Sequence, residues 1–139
     1  VKYKANLKKA HKDLDKLTKK VKSELNKDFK SIVFHDAYQY FEKRFGVSAV
    51  GSITVSPEVL PGAERVSALQ EKVRVLNATC VFSEPQFEPK LVATITENSD
   101  AGTGVLDPLG AAIDDGPNLY FTLIRNMAKS LKDCLMKSG

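Results

Sequence analysis

A chain of 139 residues, 42% hydrophobic and 27% charged, can bury one ordinary core and has the composition of a soluble globular domain. No apolar run approaches the ~20 residues that a membrane-spanning helix needs, and no signal segment opens the chain. It therefore reads as mature, as cut from a longer protein, or as cytoplasmic. The net charge of +4 is unevenly spread, with eleven lysines against four acids in residues 1–30 and ten basic against thirteen acidic residues after them.

Residues 1–25 read as one long amphipathic helix. Tyr3, Leu7, Ala10, Leu14, Leu17, Val21 and Leu25 recur at steps of four and three, which makes a narrow apolar stripe. That helix has no arginine and a single aromatic, Tyr3, so bidentate base readout and stacking are poorly served. Its lysines are better explained as a solvated face than as a surface for nucleic acid or lipid. His11 borders the stripe among lysines and reads as a surface residue.

Ser31 to Phe34 is a short, mostly apolar run bounded by polar residues, as in a buried strand. Helical spacing follows in Ala37, Tyr38, Phe41 and Phe45, and Gly46 supplies a stop. His35 and Asp36 fall where that strand gives way to that helix. They make either a candidate metal site or a turn histidine with Asp36 as helix N-cap. A second strand is expected near 49–55, ended by Ser56-Pro57. Pro61-Gly62 then opens a helix with Ala63, Val66, Leu69, Val73 and Leu76 on one face. A third strand, 78–82, is continuously apolar and ends in Ser83-Glu84-Pro85. Pro89 begins a short helix carrying Leu91, Val92 and Ile95, which breaks up over 98–102. A fourth strand, 104–106, ends in Asp107-Pro108. After a polar loop at 110–117 the chain closes with a helix over 118–136, burying Tyr120, Ile124, Met127, Leu131 and Cys134.

Strands alternating with helices imply an α/β fold: a four-stranded, mainly parallel sheet flanked by helices and preceded by the long amphipathic helix. In such a sheet the carboxyl ends of the strands open on one rim, where ligands bind. His35, Glu84 and Asp107 each end a strand, so they are expected to meet there. Pro85 and Pro108 hold the two acids in extended backbone, which should aim their side chains outward. The competing view makes them helix caps or partners of rim amides. No glycine-rich phosphate loop, nucleophile elbow or cysteine with an adjacent base is present. The two cysteines, Cys80 and Cys134, fit no close-spaced zinc or redox pattern, which leaves two buried thiols or one long-range disulfide.

Four stretches resemble a known family in order across nearly the whole chain. They are Val33-Phe-His-Asp-Ala-Tyr-Gln-Tyr-Phe-Glu42, Val55-Ser-Pro-Glu58 with Pro61-Gly-Ala63, Ala78-Thr-Cys-Val-Phe-Ser-Glu-Pro-Gln-Phe87, and Leu106-Asp-Pro-Leu-Gly110. Together they look like the C-terminal half of the periplasmic zinc-binding receptors of high-affinity zinc ABC importers (ZnuA type). The resemblance implies two α/β lobes joined by a rigid helix, with zinc held between them. Residues 1–28 would then be the connecting helix and 29–139 the C-terminal metal-binding lobe, the N-terminal lobe lying outside this chain. By the same resemblance His35 is a direct ligand, Asp107 a ligand or near neighbour of the metal, and Glu84 a supporting residue. Cys80 and Cys134 would form a disulfide suited to an oxidising periplasm.

The partners so implied are a zinc ion, the inner-membrane permease and the missing lobe, with no nucleic acid and no enzymatic turnover. Zinc takes about four ligands in tetrahedral geometry. One lobe alone is therefore expected to bind it weakly or not at all. Lower pH should weaken binding, because protons compete with metal for the imidazole nitrogen. His35 favours zinc over manganese, which prefers oxygen donors. The alternatives are a receptor for manganese or another divalent metal, a small metal-dependent hydrolase with Asp107 or Glu84 as base, and a lysine-led nucleic-acid or lipid module whose affinity would fall steeply with salt.

Overall fold

Alternation along the two inner strands decides how the layers form. A computed structural model of the chain describes residues 2–25, 30–54, 56, 58–59, 61–87 and 89–137, with the backbone alone of Lys137. In chain order the elements are α1 (Lys2–Glu24), β1 (Ser31–His35), α2 (Gln39–Phe45), β2 (Ala49–Thr54), α3 (Ala63–Val75), β3 (Cys80–Ser83), α4 (Lys90–Thr96), β4 (Gly102–Val105) and α5 (Leu119–Lys137). The strands lie in the order β2-β1-β3-β4, and all three pairings are parallel. The expected α/β architecture is therefore present.

Successive strand side chains point to opposite faces of a sheet. Ile32 and Phe34 of β1 and Val81 of β3 join Leu69, Val73, Val92 and Ile95 from α3 and α4 in one core. Val33, Cys80 and Phe82 face the other way, into a second core with Phe41, Phe45, Ile124, Met127 and Leu131 from α2 and α5. An uninterrupted apolar run such as Cys80–Phe82 is what a strand covered on both faces requires. Cys80 and Cys134 are buried in that second core and joined as a disulfide across 54 residues of sequence, which ties β3 to α5.

The stripe on α1 is used along only half its length. Leu17, Val21 and the following Leu25 are buried in the second core, whereas Tyr3, Leu7 and Ala10 are exposed. His11 is exposed, as its lysine neighbours suggest. No described helix is long and apolar enough to cross a membrane.

Several boundaries differ from the sequence reading. Asp36 is exposed and does not cap α2, which starts three residues later with Tyr38 at its cap position. The delay comes from a tight turn in which the Ala37 N–H donates to the His35 carbonyl at 3.0 Å. Gly46 does end α2, in the left-handed conformation at φ 74° with its N–H on the Glu42 carbonyl at 2.8 Å. The fourth strand runs over Gly102–Val105, and Leu106 follows it into the core. A Cβ on Gly104 would lie 2.6 Å from Phe82 Cε1, so β4 keeps a bare backbone against that ring. Tyr120, expected to be buried, is exposed at the first turn of α5, and Ala63, on the apolar face expected for the third helix, is exposed at the first turn of α3. Val55, the last residue of the second expected strand, lies outside the described residues.

Candidate metal centre

The chain passes from β1 to β2 on one side and then returns to β3 on the other. Strand order thus reverses between β1 and β3. At such a point the connections leave toward opposite faces, and a crevice opens beyond the carboxyl ends of the two strands. His35 is the last residue of β1, and Glu84 directly follows β3. Ser31 pairs with Cys80 and Ile32 with Val81. Carrying that register along β1 brings His35 level with Glu84, so the two side chains face each other at the switch point.

They are in contact. His35 Nδ1 lies 2.6 Å from Glu84 Oε1, and the same oxygen accepts a hydrogen bond from the Tyr38 hydroxyl at 2.8 Å. Glu84 is 3% exposed, while the His35 side chain keeps 21% of its surface open to solvent. The approach to Nδ1 is off the ring N–H direction, and Nδ1 has no well-aligned hydrogen-bond partner among the described residues. Glu84 therefore points inward, not outward as the following proline suggested. A buried carboxylate is costly unless it is bonded, and Tyr38 meets that need. Burial, together with the charge of Glu84, the bond to it and the charge of Asp107, holds the Tyr38 phenol well above the usual tyrosine value of 10.0. The hydroxyl stays protonated and can only donate to the carboxylate.

Asp107 stands on the same rim, one strand beyond β3. Its Oδ1 accepts from the Leu109 and Gly110 amides at 3.1 and 2.8 Å, and Oδ2 from the Ala111 amide at 2.7 Å. The side chain is thus tied to the turn that follows it. Each of its oxygens retains a lone-pair direction for a further partner. Of the three sequence candidates, the structure joins His35 to Glu84 directly and leaves Asp107 apart on its own amide cradle. Among the described residues no group of three or more histidine, cysteine, aspartate or glutamate side chains is close enough to hold a metal. Nitrogen from one imidazole with carboxylate oxygen nearby is a donor set that zinc accepts. The centre is nonetheless open on one side.

Sequence reasoning took Tyr38 for a core residue and missed its hydroxyl. The signal was available, since a tyrosine buried beside a rim must find a partner for its O–H. Which partner it found depends on the strand register, which the sequence does not display.

The family model for the periplasmic component A of the zinc-uptake complex, ZnuA, matches residues 1–134. A high-affinity zinc uptake system protein ZnuA from Brucella suis biovar 1 is 61% identical over 137 residues, covering 97% of this chain and 41% of that protein. The protein of the same name from Haemophilus influenzae is 36% identical over 123 residues, covering 88% of this chain and 36% of the relative. A crystal structure described as ZnuA superposes with a TM-score of 0.77 at 27% identity, covering 95% of this chain and 47% of the other. The chain thus spans less than half the length of these relatives. Sequence and fold lead to one assignment: the chain belongs to the ZnuA family of periplasmic zinc-uptake components.

Proposed function

We propose that this chain is the C-terminal half of a periplasmic receptor that captures zinc and delivers it to an inner-membrane ABC permease. The observation that carries the reading is the His35–Glu84 contact at the switch point of a parallel sheet, in a chain that belongs to the ZnuA family. His35 is the principal ligand. Asp107, presented by three amides, is the second candidate, and Glu84 supports the imidazole from behind. The remaining ligands come from a second lobe, joined through a connecting helix at residues 1–28 to the lobe at 29–139.

Apolar surface favours such a lobe. Tyr3 and Leu7 stand free on the far half of α1, and Tyr40, Leu109 and Tyr120 are exposed beside the rim. The protein is a carrier and not an enzyme: an imidazole backed by a carboxylate, without a nucleophile, suits holding a metal and releasing it. Zinc is here the cargo. Calorimetric titration of the chain and of His35→Ala tests this reading. Weak zinc binding that His35→Ala abolishes supports it. Tight, stoichiometric binding by this half alone, or binding that survives the substitution, overturns it.

A further inference from the structure

We propose that the crevice between α1 and α5 binds a phosphate-type oxyanion, gripped by Lys16 and Lys20 from one helix and by Arg125 from the other. The site goes beyond the zinc-receptor reading and does not depend on it.

Residues three or four apart share a helix face. Lys16 and Lys20 therefore stand on either side of Leu17 where α1 meets α5, and Asn118, Phe121 and Arg125 form the facing row. With Asp13 these residues line a recess of about 230 Å³. Its floor is apolar, because Leu17 is buried in the core and Phe121 packs against that core. Its walls are cationic. The Arg125 guanidinium lies 6.0 Å from the centre of the Phe121 ring, a cation–π arrangement that keeps it beside the recess. Lys20 reaches Glu24 only at 4.0 Å, and its side chain is 64% exposed. Among the described residues neither Lys16 nor Arg125 has an ion-pair partner. The acid in the lining, Asp13, is already engaged by Lys9, whose Nζ sits 2.9 Å from Oδ2. That bond, with the charges of Lys9, Lys16 and Lys12, holds the Asp13 carboxyl below the usual carboxylate value, as a positive field does. Like charges gathered at one recess repel each other unless an anion lies among them. A carboxylate offsets one charge, whereas a phosphate carries roughly −1.5 to −2 near pH 7 and presents oxygens on several sides. The arginine fork can take two of those oxygens, each lysine can take one, and the Asn118 amide adds a neutral donor.

The test is proton–nitrogen NMR of the metal-free chain, titrated with sodium phosphate and, separately, with sodium chloride at matched ionic strength. The Arg125 Nε–H and Asn118 side-chain amide signals should shift saturably with phosphate and stay in place with chloride. Arg125→Gln and Lys16→Gln, read from the Asn118 signals, should each weaken the phosphate affinity roughly tenfold, as loss of one charge-assisted bond at an exposed site does. Lys8 stands eight residues before Lys16, about 12 Å along the helix and beyond the reach of exposed charges at physiological salt. Lys8→Gln removes the same charge from α1 and should change the affinity by less than about twofold. All three side chains are exposed, so the variants should fold, and the amide spectrum of each reports whether they do. Should Arg125→Gln lose the fold, Lys16→Gln decides. Phosphate shifts that never saturate, or that chloride reproduces, overturn the proposal. So does an affinity that Lys8→Gln weakens as much as the crevice variants, which would leave only a solvated basic helix.

Discussion

At the scale of single residues, the rim depends on carboxylates whose partners differ in kind. Asp107 is held by three backbone amides, so Asp107→Ala should leave the 109–111 turn without its anchor. The expected cost is about 1–3 kcal/mol of stability, read from urea denaturation. An unchanged midpoint would mean that water replaces the carboxylate freely. Tyr38 has a phenol held above the ordinary value of 10.0, so the folded state keeps a proton that the unfolded chain loses in that range. Its contribution is complete below pH 10.0 and is lost as pH rises beyond it. The thermal stability advantage of the unsubstituted protein over Tyr38→Phe should therefore shrink as pH rises above about 10. An advantage that grows with pH would contradict the assignment. That His35, Glu84 and Asp107 lie at or just past the carboxyl ends of strands was legible in the sequence, because each closes a short apolar run. That Glu84 turns inward was not legible, since it follows from the pairing of Ser31 with Cys80 on another stretch of chain.

At the scale of elements, the inner strands and long helices showed in the sequence because burial repeats along them. β4 did not show its true limits. Gly102 and Gly104 give no side-chain signal, and its exposed positions are Thr103 and Val105. Gly104 is nonetheless constrained, because a methyl group there would collide with the buried Phe82 ring. Gly104→Ala should cost about 1–3 kcal/mol by overpacking, and a neutral result would show that β4 moves away easily. The disulfide is the other element-scale constraint. Opening the Cys80–Cys134 link, by paired alanine substitution or reduction, should lower stability by about 4 kcal/mol on the chain-entropy model. A loss under about 1 kcal/mol would place the stabilisation elsewhere, in the buried packing of β3 on α5. The cysteine spacing allowed this bridge without requiring it. Family resemblance supplied the pairing, and the structure contains it.

At the scale of the whole molecule, two cores cover opposite faces of one parallel sheet, and the reversal of strand order between β1 and β3 opens a crevice at the carboxyl ends of those strands. The α/β class could be read from alternating strand and helix patterns. The strand order could not, because it depends on contacts between segments far apart in sequence. Among the described residues, Leu17 and Val21 of α1 and the following Leu25 are buried in the core, while Tyr3 and Leu7 on the other half of the helix are exposed. In the proposed receptor this rim is half a cage, with His35 as the nitrogen donor and Asp107 as a carboxylate presented by amides. Anomalous diffraction at the zinc edge, from crystals of the receptor grown with zinc, tests this most directly. The expected peak lies about 2.0–2.1 Å from His35 Nε2, beyond the ends of β1 and β3. A peak bound through Nδ1, or one on another edge of the sheet, would contradict it.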